Sequence, residues 1–180
     1  MEQQISVSEL KEYWRQIENV ENGSTIGRRC ITTIEMPPWD KLCSELGWQL
    51  YRADAGHFGK KHHGYSGVYR LIGLETDKPF KPATISRTCG EDVSGTLYIG
   101  EAGWLNERLN QLRRSLRRED THGASRLWRQ SAALVAKFPS NKLGVGMLFT
   151  NPGMRGWIER DLIGAYLNSF GDTPPLNCSF

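Results

Sequence analysis

Two short stretches decide the fold of this chain: GVYRLIGL, which is Gly67–Leu74, and TLYIG, which is Thr96–Gly100. Both are rich in β-branched, aromatic and other apolar residues, which is typical of β-strands. The segment between them, Glu75 to Gly95, is punctuated by proline and glycine and is predicted to be an irregular loop. Long loops inside compact domains are often functional, so this connection is a candidate for contacting a ligand.

The residues after Gly100 predict a helix, a second helix, a third strand and a last helix: about Leu105–Arg118, Ser125–Phe138, Leu143–Thr150 and Met154–Ser169. The first of these helices carries a leucine at nearly every turn on one face, as a helix that packs on a core does. A turn at residues 151–153, Asn-Pro-Gly, separates the third strand from the last helix.

Residues 1–63 are predicted to form an accessory layer packed on a core of residues 64–180. Ser6 and Glu9 have the spacing of a capping box at the start of a helix. A β-rich stretch at Cys30–Ile34 follows, and Pro37-Pro38 precedes a short helix that is expected to end near Gly47. Trp48–Arg52 alternates like a strand.

The positive charge of the chain is concentrated in one segment. The net charge is +3 overall, yet Trp104–Gln130 contains seven arginines and three acidic residues. A basic segment of this kind suits a polyanion, because neutralising phosphates releases counterions. A solvated, arginine-rich helix face is the alternative. The residues concerned are Arg113, Arg114, Arg117 and Arg118.

No apolar run reaches the ~20 residues that a membrane helix needs, and Met1–Gly23 does not resemble a signal peptide. We therefore expect a cytoplasmic protein with no membrane partner. The four cysteines are widely spaced, which favours free thiols over a zinc finger or a disulfide framework.

Three of the four histidines, His57, His62 and His63, lie in a glycine-punctuated loop. Metal binding is one interpretation, but no carboxylate or cysteine stands at a recognised ligand spacing. A flexible basic loop is the alternative, in which Lys60 and Lys61 would contact DNA phosphates.

Two charged residues occupy unusual helix positions. Arg108 lies beside the leucine stripe of its helix, away from the other arginines, which suggests either a specific target or a structural salt bridge. Glu159 falls within the apolar arc of the last helix. A carboxylate facing a core must be paired or bind a metal, because an isolated buried charge is very costly. Arg155, one turn earlier, is the alternative partner.

In this order, Gly67-Val68-Tyr69, Tyr98-Ile99-Gly100, Arg108, Glu159 and a Pro-Pro-Leu-Asn ending at Asn177 resemble the GIY-YIG nuclease domain. The resemblance covers about two-thirds of the chain. It implies an α/β (α+β) fold: a three-stranded antiparallel sheet flanked by helices in the order β-β-α-α-β-α, here with an N-terminal helical and β extension. Many members carry a histidine where this chain has Leu112, and His122 from the following loop is a candidate replacement.

The resemblance also implies roles for the matched residues. Tyr69, helped by Tyr98, would take a proton from the attacking water, which requires nearby cations to lower its pKa. Candidates for those cations are Lys81, Arg87 and Arg108. Arg108 would brace the phosphate, Glu159 would hold one Mg²⁺, for which Mn²⁺ is expected to substitute, and Asn177 would match the terminal asparagine of the family.

The function expected on this basis is a Mg²⁺-dependent endonuclease that cleaves double-stranded DNA, of the small restriction type. DNA contacts are assigned to the arginine helix, to the long loop with Lys81 and Arg87, and to Lys60 and Lys61. A repair or structure-specific nuclease of the same superfamily, and a non-catalytic DNA-binding module, remain the alternatives. A homodimer on DNA is left open.

Overall fold

The computed structural model describes residues 4–21, 35–54, 64–75, 80–117 and 122–177, without the side chains of residues 18–21. The predictions for Cys30–Ile34, for the histidine loop with Lys60 and Lys61, and for Arg118 lie outside these ranges.

The described chain is a mixed α/β fold. Six helices are present in it: α1 (Val7–Glu21), α2 (Trp39–Glu45), α3 (Leu105–Arg117), α4 (Gly123–Gln130), α5 (Ala132–Lys137) and α6 (Arg155–Phe170). The strands are β1 (Gln49–Arg52), β2 (Gly67–Gly73), β3 (Ile85–Arg87), β4 (Gly90–Asp92), β5 (Thr96–Ala102) and β6 (Leu143–Phe149).

Four of the strands form one antiparallel sheet in the order β1-β6-β2-β5, and β3 pairs with β4 in a separate hairpin. The sheet therefore has four strands, one more than the three that were predicted. The additional strand, β1, comes from the N-terminal segment and pairs with β6, whose backbone groups on that side would otherwise lack strand partners. The strand predicted at Trp48–Arg52 is confirmed by β1, and β5 lies at the opposite edge of the sheet.

Each face of the sheet packs against its own set of helices. Tyr69 and Leu71 of β2 join one apolar cluster with residues of α3 and α4, whereas Val68 joins a second cluster with α1, α2 and α6. Because β2 is covered on both faces, all seven of its residues are buried. This explains why its sequence is a nearly continuous apolar run.

Two predictions of local structure were wrong. The segment Glu75–Gly95 is not irregular throughout, because it contains the hairpin of β3 and β4. Asp92, at the end of that hairpin, is fully buried and accepts hydrogen bonds from the backbone amides of Ser94 and Thr96 at 2.8 and 2.9 Å. The helix expected over residues 125–138 is divided into α4 and α5. The residue between them, Ser131, has an extended backbone and its hydroxyl caps the amide of Leu134.

The N-terminal signals are realised as expected. The amide of Ser6 donates to the carboxylate of Glu9 at 2.7 Å, and the amide of Glu9 donates to the hydroxyl of Ser6 at 3.2 Å, which is the predicted capping box. Cys43 and Cys89 are free thiols. Among the helices that the structure describes, none has the length and apolar character needed to cross a membrane.

Candidate active site

The two tyrosines of the sequence motifs lie side by side on one face of the sheet. Tyr69 of β2 is paired in register with Gly100 of β5, and the rings of Tyr69 and Tyr98 have centroids 5.9 Å apart. A Cβ atom at Gly100 would lie 2.5 Å from Cε1 of Tyr98 and 3.0 Å from Cζ of Tyr69. Both rings therefore pack directly against Gly100, which explains sterically why the second motif has a glycine at this position.

The hydroxyl of Tyr69 is a meeting point for two other predicted residues. It lies 3.0 Å from Nε2 of His122 and accepts a hydrogen bond from Nε of Arg108 at 3.3 Å. Tyr69 and His122 are both fully buried. His122 immediately precedes α4, and its backbone amide donates to the hydroxyl of Ser115 on α3, which holds the imidazole under Tyr69.

The expected lowering of the pKa of Tyr69 does not occur in this state of the molecule. Burial raises the pKa of the Tyr69 phenol far above its ordinary value, Tyr98 raises it further, and Arg108 lowers it by less. The other two cations proposed for this purpose are engaged elsewhere. Lys81 forms an ion pair with Glu75 at 2.9 Å, and Arg87 forms one with Asp172 at 2.8 Å.

Tyr98 connects this buried cluster to a cleft. Its side chain is half-buried, it interacts with both Tyr69 and Arg108, and it lines a cleft of about 850 Å³ between α4 and α6. Burial raises its pKa, and the nearby carboxylate of Glu159 adds to that effect. Tyr98 is thus the tyrosine that faces the cleft, while Tyr69 lies behind it.

Glu159 lines the same cleft and is half-buried. Burial raises the pKa of its carboxyl to about 6, and the negative charge of Glu101 contributes in the same direction. A hydrogen bond with the backbone of Glu101, and the charges of Arg108 and Arg160, lower the pKa but do not restore its ordinary value. The carboxylate therefore lies where negative charge is incompletely compensated.

The partner suggested for Glu159, Arg155, binds another residue. Its Nε lies 2.5 Å from Oε2 of Glu101, and one of its terminal nitrogens donates to the carbonyl oxygen of Pro152. Glu101 is the site residue that the sequence reasoning missed. A signal was available, because Glu101 directly follows Tyr-Ile-Gly and is the one charged residue of β5.

Glu101 lies near enough to Glu159 for its charge to raise the pKa of that carboxyl, and carboxylate oxygens are the kind of ligand that Mg²⁺ takes. Within the described part of the chain, no group of three or more His, Cys, Asp or Glu residues is arranged to hold a metal ion. Mg²⁺ does not require such a group, since it usually keeps several waters and binds through one or two carboxylates.

Asn177 reaches the site from the C-terminal segment. Its side-chain oxygen accepts from the amide of Ile99 at 2.9 Å, and its side-chain nitrogen donates to the carbonyl of Ile99 at 2.8 Å. The amide of Leu176 adds a bond to the carbonyl of Leu97. Asn177 therefore satisfies the open edge of β5 beside Tyr98 and borders the cleft, with both ends of its amide committed to backbone.

The predicted DNA-binding arginines of α3 differ in exposure, and one of them, Arg114, lies near Arg108 rather than away from it. Arg114 is exposed and shares an open groove of about 500 Å³ with Arg108, Glu101 and Trp104. Arg113 is half-buried, and Arg117 is exposed and donates to the carbonyl of Asp54. Arg87 is largely buried and also bonds the carbonyl of Thr173.

The structure thus brings Tyr69, Tyr98, Arg108, His122, Glu159 and Asn177 together around β5, and adds Glu101. Lys81 and Arg87 do not join them. No family model, no curated protein and no solved structure matches this chain. The residues of the site and their geometry are therefore the basis for assigning a function.

Proposed function

We propose that this protein is a Mg²⁺-dependent endonuclease that hydrolyses phosphodiester bonds in DNA, with a GIY-YIG type of active site. The observation that carries the proposal is the convergence, at one edge of the sheet, of proton-transfer groups, a guanidinium and a carboxylate pair beside an open cleft. Phosphodiester hydrolysis needs these three kinds of group: one to take a proton from water, one to stabilise phosphate charge and one to hold a cation.

The hydroxyl groups suggest a path for the proton. As a water molecule in the cleft attacks phosphorus, its proton passes to the oxygen of Tyr98. The proton of Tyr98 passes to Tyr69, and that of Tyr69 to Nε2 of His122, in the tautomer in which Nε2 is unprotonated. Because each hydroxyl gives up one proton as it receives another, neither tyrosine has to become a stable phenolate. A raised pKa at both phenols is compatible with such a relay.

In the proposed mechanism, Arg108 serves both the relay and the phosphate. Its Nε donates to Tyr69, and one terminal nitrogen donates to Oε1 of Gln111 at 2.8 Å. The guanidinium has five N–H donors in a planar fork, so others remain for non-bridging phosphate oxygens. Arg108 would then stabilise the charge that develops as the new P–O bond forms and the leaving P–O bond breaks.

Glu159 and Glu101 would hold the Mg²⁺, with Mn²⁺ as a substitute. When bound, the cation supplies charge neutralisation at the phosphate and at the leaving oxygen. Arg155 occupies the Glu101 carboxylate in the present arrangement, so cation binding would require that ion pair to loosen.

A non-catalytic DNA-binding module is the competing function, and one observation favours it. The hydroxyl of Tyr69 belongs to a fully buried side chain and has no direct access to water. Among nucleases, we propose a restriction type that cuts double-stranded DNA, with a repair or structure-specific nuclease as the alternative.

Plasmid cleavage with Mg²⁺ tests the proposal. The wild-type protein should convert supercoiled plasmid to nicked or linear product, and Glu159→Ala should abolish conversion while DNA binding persists. Glu12→Ala, at an exposed glutamate paired with Arg15 on α1, is the matched control and should cleave normally. Discrete ends at one sequence would support the restriction type, and cleavage confined to branched or damaged DNA would support the alternative. DNA binding without cleavage in Mg²⁺ or Mn²⁺ would refute the nuclease assignment in favour of the binding module.

A further inference from the structure

The cleft between α4 and α6 contains cationic and aromatic side chains that the catalytic scheme does not use. Arg126 of α4 lies on one side, and Trp157 and Arg160 of α6 lie on the other. Tyr98 and Glu159 also line the cleft, so these three residues share it with two residues of the proposed active site. The volume of the cleft is about 850 Å³.

The two arginines give the cleft a charge that suits phosphates. Arg126 and Arg160 are both exposed, and Glu159 is the acidic residue among the side chains that line the cleft. Arg160 lies over the indole of Trp157, with its Cζ atom 5.1 Å from the ring centroid. A guanidinium this close to an indole keeps N–H donors that can bind phosphate oxygens.

Trp157 provides a second type of contact. Its indole is half-buried, so part of the ring remains accessible at the cleft. Nucleobases stack on aromatic side chains regardless of sequence, and arginine adds a cation–π component. A base can use such a platform only where it is unstacked from its neighbours.

The two glycines of the cleft leave space for a polymer. A Cβ atom at Gly123, the first residue of α4, or at Gly156, in the first turn of α6, would have no neighbouring atom within 4 Å. The entrance between the two helices is therefore open. A DNA strand could enter there without displacing side chains of α4 or α6.

From this arrangement we infer that the α4–α6 cleft binds the DNA strand next to the scissile phosphate, with Arg126 and Arg160 on its phosphates and Trp157 stacked on an unstacked base. This inference rests on the proposed function, which by itself does not say where the DNA strand binds. It assigns the strand to a different surface from the arginines of α3.

The test measures equilibrium binding of a fluorescently labelled DNA duplex, without divalent metal, in a Glu159→Gln background over a series of salt concentrations. Arg126→Gln combined with Arg160→Gln should weaken binding and reduce the salt slope by about two units, one for each lost phosphate contact. Trp157→Ala should weaken binding about tenfold or more while leaving the salt slope unchanged. Trp157→Phe, which keeps an aromatic ring, should retain most of the affinity.

Arg15→Gln, at an exposed arginine on α1, is the matched charge control and should change neither affinity nor slope. Arg126 and Arg160 are exposed, so their replacement should leave the melting temperature of the protein unchanged.

The outcomes separate the inference from the proposed function. If the parent protein binds DNA with a clear salt slope and the double arginine variant keeps the same affinity and slope, the cleft is not the strand site and the nuclease proposal stands. Failure of the parent to bind DNA at all would overturn both. Loss of slope in the arginine pair, together with a slope-neutral loss at Trp157, would establish the cleft as the strand site.

Discussion

Replacing Gly100 by alanine should disturb the fold and the proposed chemistry together. The new Cβ atom would lie 2.5 Å from Cε1 of Tyr98, 2.8 Å from its hydroxyl oxygen and 3.0 Å from Cζ of Tyr69. Carbon atoms pack favourably at about 3.5–4.0 Å, so the ring of Tyr98 must move by about 1 Å. Tyr98 borders the cleft and has room to shift, whereas Tyr69 is fully buried beneath α3 and α4.

The loss of stability can be estimated from the typical cost of overpacking. Overpacking a core typically costs about 1–3 kcal/mol. For a protein of this length each kcal/mol lowers the melting temperature by about 2–4 °C, which gives an expected loss of roughly 2–12 °C. A displacement of about 1 Å at a catalytic group can reduce the rate by ~100-fold, so cleavage should fall even where the variant remains folded.

Thermal melting and single-turnover cleavage, measured well below the melting temperature, check both parts. Gly164→Ala on α6 is the control, because a Cβ atom there meets nothing within 4 Å and alanine favours a helix by up to about 1 kcal/mol. That variant should melt at or slightly above the wild-type temperature and cleave normally. A Gly100→Ala protein that melts within 1 °C of wild type and cleaves at the wild-type rate would refute the packing of the two rings on Gly100.

Two further predictions concern single functional groups. Tyr69→Phe should reduce single-turnover cleavage by ~10²–10⁴-fold with little change in DNA affinity, because it removes the hydroxyl between Tyr98 and His122; a rate within threefold of wild type would exclude Tyr69 from the relay. Glu159→Gln should raise the melting temperature of the metal-free protein at pH 8, because the folded state raises the pKa of this carboxyl from 4.5 to about 6 and so disfavours its charged form. The cost is present above about pH 6 and absent below about pH 4.5, so the gain should vanish in melts at pH 4.5, and an equal gain at both pH values would contradict the assignment.

The sequence was sufficient for the elements whose signals are local. The capping box at Ser6, the strands around the two tyrosine motifs and the bounds of α3 were predicted from patterns a few residues long. The division between α4 and α5 was missed because Ser131 follows an uninterrupted helical pattern and acts through a single side-chain cap. The fourth strand of the sheet was predicted as a strand, but its partner β6 lies about 95 residues away and cannot be read from local periodicity.

Most residues of the site could likewise be predicted from local sequence, whereas their interactions could not. The direction of the pKa shift of Tyr69 could not be predicted from the sequence, because the pKa of a tyrosine depends on everything packed around it. Arg108 was expected to lower the pKa of Tyr69, and it does lie beside the hydroxyl, yet burial outweighs its charge. Glu101 and Arg155 lie 54 residues apart in the sequence, and only the packing of α6 against β5 brings them together.

In the proposed relay, His122 takes the role that the resemblance gives to a histidine on the helix of Arg108. At the position where the resemblance leads one to expect histidine, Leu112 is buried among the leucines of α3, and an imidazole there would replace apolar packing by a polar group in need of partners. His122 enters from the segment before α4 and brings Nε2 to 3.0 Å from the hydroxyl of Tyr69. The sheet fixes the two tyrosines, so a proton acceptor is required only at one point in space, and any element that reaches this point can supply it. The spacing of a histidine from Arg108 along the chain is therefore a weaker criterion for this chemistry than its distance from Tyr69.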